Sequence, residues 1–164
     1  HHLQDTLQGW RVLVDLLKPG GHMMVGLYSK VARHDFLRVQ DLIKKSGFGS
    51  SASEIRRFRA EAGRLLDKEM KEAVALSSDY YHMPTCRDLL FHAQEHDYDI
   101  SDIQKMLDKL GLTFCTFAIR QKIFESFQQR FPDDKRAQSL QNWASFESEN
   151  KNTFAEMYMM WLRK

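Results

Sequence analysis

Cysteine is nearly absent. Only Cys86 and Cys115 occur in 164 residues, far apart and without C-x-x-C spacing, so neither a disulfide framework nor a zinc knuckle is written here. Both are expected to be free thiols that serve as packing residues. Proline is scarce as well, at three residues, and no internal repeat or low-complexity linker interrupts the chain. A long apolar run is missing too. No uncharged stretch approaches the roughly 20 residues that cross a bilayer, and the N-terminus lacks the basic-then-apolar order of a signal peptide. The expectation is a cytoplasmic protein with no membrane partner. An excess of one charge is also lacking: a formal net charge of +2 is too near neutrality to imply nucleic acid. What is present is the makeup of one globular domain, 43% hydrophobic and 28% charged, long enough to bury a sizeable core.

The chain reads as helices separated by clear punctuation. Leu7, Trp10, Leu13, Val14 and Leu17 fall at helical spacing after Asp5 and Thr6, either of which suits an N-cap, and Pro19 prevents continuation. Gly20 and Gly21 supply a turn. The apolar run at 22–28 then has the length of a strand covered on both faces, and so of a parallel one. A helical stretch follows, with Phe36, Val39, Leu42 and Ile43 as one stripe and Ile55, Phe58, Ala62, Leu65 and Leu66 as another, the latter behind a Ser51/Glu54 capping box. Ser101 with Gln104 repeats the capping pattern ahead of Ile103, Met106, Leu107 and Leu110, and Gly111 stands in a C-cap position. A strand is expected at 112–119. Ile123, Phe124, Phe127 and Phe131 mark a further helix, Leu140, Trp143 and Phe146 another, and 155–163 a terminal strand.

Helix, turn, buried strand, helical excursion, helix, strand, two helices and strand make an α/β order. The three strands at 22–28, 112–119 and 155–163 should share one sheet, with the last antiparallel between the other two. The first helix has no strand ahead of it, although a doubly wound sheet would feed it from one.

Two stretches carry a family likeness. His1-His2-Leu3 followed by Leu17-Lys18-Pro19-Gly20-Gly21 and a strand resembles the second half of a class I S-adenosylmethionine-dependent methyltransferase domain. There a fourth strand runs into an HHL-type segment, and a helix and an L-K-P-G-G turn lead to the fifth strand. The stretches CRDLLFHAQEHDYDISDIQKMLDKLGLTF and NTFAEMYMMWLRK are similar to the tail of bacterial members, some joined to tetratricopeptide repeats. The resemblance implies the C-terminal part of a Rossmann-like methyltransferase sheet with a helical insertion. On it, residues 1–30 hold a helix plus a core strand, 31–100 a mostly helical excursion and pocket loop, and 101–164 the final helices and strands. The family's Gly-rich loop and its acidic ribose ligand have no counterpart here. Gly47-Phe48-Gly49 does not replace the loop, because it follows one helix and precedes another. The chain is therefore expected to be part of a longer one, whose upstream portion is its first partner, and to be inactive alone.

The implied cofactor is S-adenosyl-L-methionine, with His1, His2 and Leu3 beside its methionyl part; the two histidines also read as the remnant of an expression tag. Tyr28 and Ser29 end a strand where ligands of such sheets gather, so both are candidates for the pocket of a small-molecule or protein methyl acceptor. Tyr28 equally suits a packed edge aromatic. His92, Glu95 and His96 are pocket candidates by their place between the excursion and the next helix. As letters, His92-Ala93-Gln94-Glu95-His96 is also the inverted zinc-hydrolase motif. That alternative needs a helix across the motif and a downstream third ligand, for which only Asp108, Glu125, Asp133, Asp134, Glu147, Glu149 and Glu156 follow Asp102. No metal is expected. A polar loop whose imidazoles cap helix ends, or a helical interaction module without catalysis, are the plainer alternatives. Arg56, Arg57, Arg59 and Arg64 suit a solvated helix face better than an anionic acceptor site, and the eight methionines suit core filling.

Overall fold

A computed structural model describes residues 1–92, 94–155 and 157–164. Two compact units are formed, one from His1–Ala32 with Glu95–Lys164 and one from Arg33–Gln94. In chain order, α1 (Thr6–Leu16) and β1 (His22–Ser29) open the first unit. The second holds α2 (His34–Lys45), α3 (Ala52–Leu65), α4 (Lys68–Leu76), α5 (Ser78–Tyr81) and α6 (Met83–Phe91). The first is completed by β2 (Asp97–Tyr98), α7 (Ile100–Leu110), β3 (Thr113–Phe117), α8 (Gln121–Arg130), α9 (Leu140–Glu149) and β4 (Met157–Arg163). Among the described residues no helix is long and apolar enough to cross a membrane.

The sheet is mixed, in the order β2-β1-β4-β3. β4 lies antiparallel to both β1 and β3, with Met24 opposite Trp161 and Phe114 opposite Leu162. The expected placement of the last strand between the other two is what the chain adopts. The count of three strands is corrected to four: β2 pairs parallel with the end of β1, Tyr28 opposite Asp97 and Ser29 opposite Tyr98. Two residues paired through tertiary contact leave no period to read. The bounds of β3 and β4 are shorter than expected, Ala155 has φ 44°, and Glu156 lies outside the described residues.

Alternation decides the faces of the sheet. Leu27 of β1, Phe114 and Phe117 of β3 and Tyr158, Met160 and Leu162 of β4 meet Trp10 and Val14 of α1, Ile103 and Leu107 of α7, Phe127 of α8 and Trp143 and Phe146 of α9 in one core. The Phe127 and Trp143 rings stack at 3.8 Å, and the Trp143 indole N–H donates to the Ala137 carbonyl at 2.8 Å. The opposite face carries Met24, Gly26, Tyr28, Met157, Met159 and Trp161, with Met24 50% and Trp161 41% exposed. The expected α1 stripe needs correction. Thr6, Trp10 and Val14 are buried, spaced four apart, whereas Val12, Leu13 and Leu16 lie on the outside, Leu16 at 78% exposure.

Local chemistry sets the element ends. The Asp5 carboxylate accepts from Gln8 N–H at the start of α1. At its far end Lys164 Nζ donates to the carbonyls of Val14 (2.7 Å) and Leu17 (3.0 Å), groups a helix terminus leaves unpaired. The Pro-Gly-Gly turn holds Gly20 at φ 75°, and a Cβ on Gly21 would stand 2.8 Å from the Lys18 carbonyl. The capping box of α7 is Asp99 with Asp102, not Ser101 with Gln104. The Asp pair sits two residues earlier, and Ser101 Oγ donates to Asp99 instead. Gly111 does end α7, at φ 63°.

The second unit has its own core, built from Phe36, Val39 and Ile43 of α2, Ile55, Phe58 and Ala62 of α3, Met70 and Val74 of α4, and Cys86, Leu89 and Leu90 of α6. Ser51 caps α3 by accepting from Glu54 N–H at 3.3 Å. Its arginines serve the unit itself. Arg57 pairs with Glu54 and lies over the Phe48 ring, Arg64 pairs with Glu61, and Arg59 donates to the Tyr80 carbonyl. Cys86 is fully buried, and Cys115 of β3 is only half-buried.

Candidate functional site

β1 delivers Tyr28 and Ser29 to opposite faces of the sheet, because neighbouring residues of a strand point apart. Ser29, expected in the substrate pocket, is turned into the core instead. It is completely buried, its hydroxyl donates to Glu147 Oε1 at 2.7 Å, and its oxygen accepts from Ala32 N–H at 3.0 Å. That hydroxyl anchors the turn after β1 and is not presented to a ligand.

Tyr28 stands on the other face, among histidines. The rings of His1 and Tyr28 are 4.2 Å apart, those of His1 and His2 4.1 Å, and His2 meets Tyr28 edge-on at 6.0 Å. His1 Nδ1 lies 3.3 Å from the Gly26 carbonyl, and the His1 carbonyl accepts from His96 N–H at 3.0 Å. His96 lies 6.5 Å, ring to ring, from Tyr98, whose hydroxyl donates to Thr6. His1, His2, Tyr28 and His96 thus come together at the C-terminal end of β1, with Glu95 adjacent in the chain. Leu3, expected with the cofactor, is more than half exposed and lies across Gly9, where an added Cβ would overlap its Cδ1 at 2.2 Å.

His92 belongs to the other unit, where it ends α6 and its Nδ1 accepts from Gln94 N–H at 3.2 Å. The helix required by an inverted zinc motif stops at Phe91. Two histidines four apart on one helical turn are therefore not formed, and Ala93 lies outside the described residues. No three His, Cys, Asp or Glu side chains among the described residues are grouped to hold a metal ion. The third-ligand candidate Glu156 also lies outside them.

The core of this unit holds a buried carboxylate. Glu147, 2% exposed, accepts from Ser29 and from the Tyr158 hydroxyl, which stands 2.9 and 2.7 Å from its two oxygens. Burial pushes the Glu147 carboxyl above its ordinary range, against the hydrogen bonds from Ser29 and Tyr158 and with the charge of Asp99. The Tyr158 phenol is raised as well, first by burial and then by the Glu147 charge. The sequence signal was weak: Glu147 follows Phe146 on an apolar helix, one position from the core stripe. Elsewhere in this unit a groove of about 710 Å³ runs over Ile100, Lys105, Phe131 and Leu140, and it includes none of the expected site residues.

No known family model matches the chain. It is 25% identical over 131 residues to an uncharacterized protein of Synechococcus sp., covering 74% of this chain and 31% of the relative. The chain therefore spans about a third of the length of the relative it matches.

Proposed function

We propose that this chain is the C-terminal part of an S-adenosylmethionine-dependent methyltransferase domain with a Rossmann-like sheet. The observation that carries the reading is the path of the sheet. A helix and a Pro-Gly-Gly turn lead into β1, and antiparallel β4 separates β1 from β3, the arrangement the resemblance implies. The far edge of β1 also supports it. Gly26 turns its carbonyl from β4 toward His1, so Met24, two residues back, turns its backbone groups the same way. Over 22–27 that edge has no strand partner among the described residues. It is apolar, with none of the proline or lysine that blunts a solvent edge. The outward Val12, Leu13 and Leu16 of α1 fit a surface that further chain covers.

The donor set fits one side of a methyl-transfer crevice. His1, His2 and Tyr28 present aromatic surface beyond the end of a strand, where open sheets bind ligands. Among the described residues no glycine-rich loop joins a strand to a helix to hold the rest of S-adenosylmethionine, which supplies an electrophilic methyl when bound. These residues would orient the acceptor for in-line attack, a task of positioning rather than reactive chemistry.

The test is methyl transfer and metal content measured on the longer polypeptide and on its His2→Ala and Tyr28→Ala variants. The reading expects transfer without stoichiometric zinc, and losses of turnover that exceed the losses of stability. Zinc that leaves with His96→Ala, together with hydrolytic activity, would favour the rival hydrolase.

A further inference from the structure

β1 and β3 run the same way, each antiparallel to β4, so the chain that leaves β3 emerges at the same edge of the sheet as Tyr28. Two cavities adjoin there. One, of about 240 Å³, is lined by Ile119, Phe154, Met157 and Met159 together with Arg120. The other, of about 350 Å³, is lined by Phe146, Lys122 and Lys151, and the two share Ile123, Asn152 and Thr153. Met157 of the first cavity stands opposite Tyr28 across the β1–β4 ladder, where facing side chains are about 5 Å apart. It links the cavities to the Tyr28 crevice. Gly26 keeps this face of the sheet low, because an added Cβ would stand 2.9 Å from the sulfurs of both Met157 and Met159. Such thioethers adapt to varied apolar shapes.

The charge around these cavities has one sign. The side chains of Arg120, Lys122 and Lys151 have no ion pair or hydrogen bond among the described residues, and no carboxylate is among the described residues lining either cavity. The acidic side chains near them in sequence are engaged elsewhere: Glu125 accepts from Gln121 at 3.0 Å, and Glu149 accepts from Arg130 at 3.1 and 2.9 Å. Three cations are left uncompensated. Cations that line a concave surface with low-dielectric walls concentrate their field within it, and guanidinium and ammonium groups are ready donors to an oxyanion. Resting on the methyltransferase reading, we propose that these two cavities hold the methyl acceptor by an anionic end, which makes the acceptor an apolar body bearing a carboxylate or a phosphate. Arg120, Lys122 and Lys151 take the oxyanion, while Phe154, Met157 and Met159 take the body and leave its other end toward Tyr28.

The experiment titrates 2-naphthoate, 2-naphthyl phosphate and the neutral 2-naphthamide into the 164-residue chain and into the longer polypeptide, both labelled with carbon-13 in the methionine methyl groups. At least one anion is expected to bind about tenfold or more tightly than the amide, since each exposed ion pair contributes up to about 1 kcal/mol and 1.4 kcal/mol is tenfold. The tighter anion names the acceptor's end. The Met157 and Met159 methyl resonances should move on binding. In the variant Arg120→Gln/Lys122→Gln/Lys151→Gln, the preference for the anion should fall below about threefold while the urea midpoint stays that of the wild type. Equal affinities for anion and amide, a preference retained in the variant, or unmoved Met157 and Met159 methyls would each overturn the inference; where the two polypeptides differ, the longer one decides. The longer polypeptide should also hold the anion and S-adenosylmethionine together, and mutual exclusion of the two would overturn the acceptor role. A longer polypeptide that takes the anion selectively but binds no S-adenosylmethionine sinks the methyltransferase reading instead, a separately recognisable result.

Discussion

Glu147 is a carboxyl whose burial gives stability a pH dependence of definite sign. Its folded-state pKa is raised, chiefly by burial, so the native chain keeps a proton that the unfolded chain has released. The stabilisation linked to that proton is full below about pH 4.3, the ordinary glutamate value, and is lost as pH rises through the raised folded-state value. Glu147→Gln carries no charge at any of these pH values. In urea unfolding between about pH 4 and pH 8 the wild type should lose stability relative to Glu147→Gln as pH rises; parallel profiles would contradict the account. Residue identity made some sites legible and hid others. Tyr28 and the paired histidines could be placed from their order in the chain. Ser29 could not, because facing into or out of a core depends on strand phase, and its partner Glu147 lies 118 positions away.

Elements were more legible than their partnerships. Trp143 and Phe146 announced α9 by spacing, and the helix indeed spans Leu140–Glu149 with Leu140, Trp143 and Phe146 buried. The C-terminal run alternates Tyr158, Met160 and Leu162 inward, so its aromatic and apolar content told strand from helix correctly. β2 escaped because its conformation is imposed by the end of β1. The α7 cap was misplaced because two capping patterns overlap at 99–104, and the carboxylate pair won. β1 yields a prediction at this scale. If a parallel strand completes its open edge in the longer polypeptide, the Met24 and Gly26 amides should exchange with solvent more slowly there than in the 164-residue chain, on the order of 100-fold. Nuclear magnetic resonance exchange rates check this, and equal rates in the two would leave the edge open.

At the scale of the whole molecule, the chain forms two compact units, each with its own core. The second unit begins and ends with ordinary helical punctuation, and no composition shift marks Arg33 or Gln94. What makes it a unit is that Phe36, Phe58 and Leu90 pack with one another, a long-range fact absent from any local pattern. On the proposed methyltransferase reading, cofactor binding depends on further chain that closes the sheet edge and supplies a glycine-rich loop. Calorimetric titration with S-adenosylmethionine tests that dependence most directly. The longer polypeptide is predicted to bind at micromolar or tighter affinity and the 164-residue chain to show no measurable heat of binding; a longer polypeptide that stays silent, or a short chain that binds equally well, would contradict it.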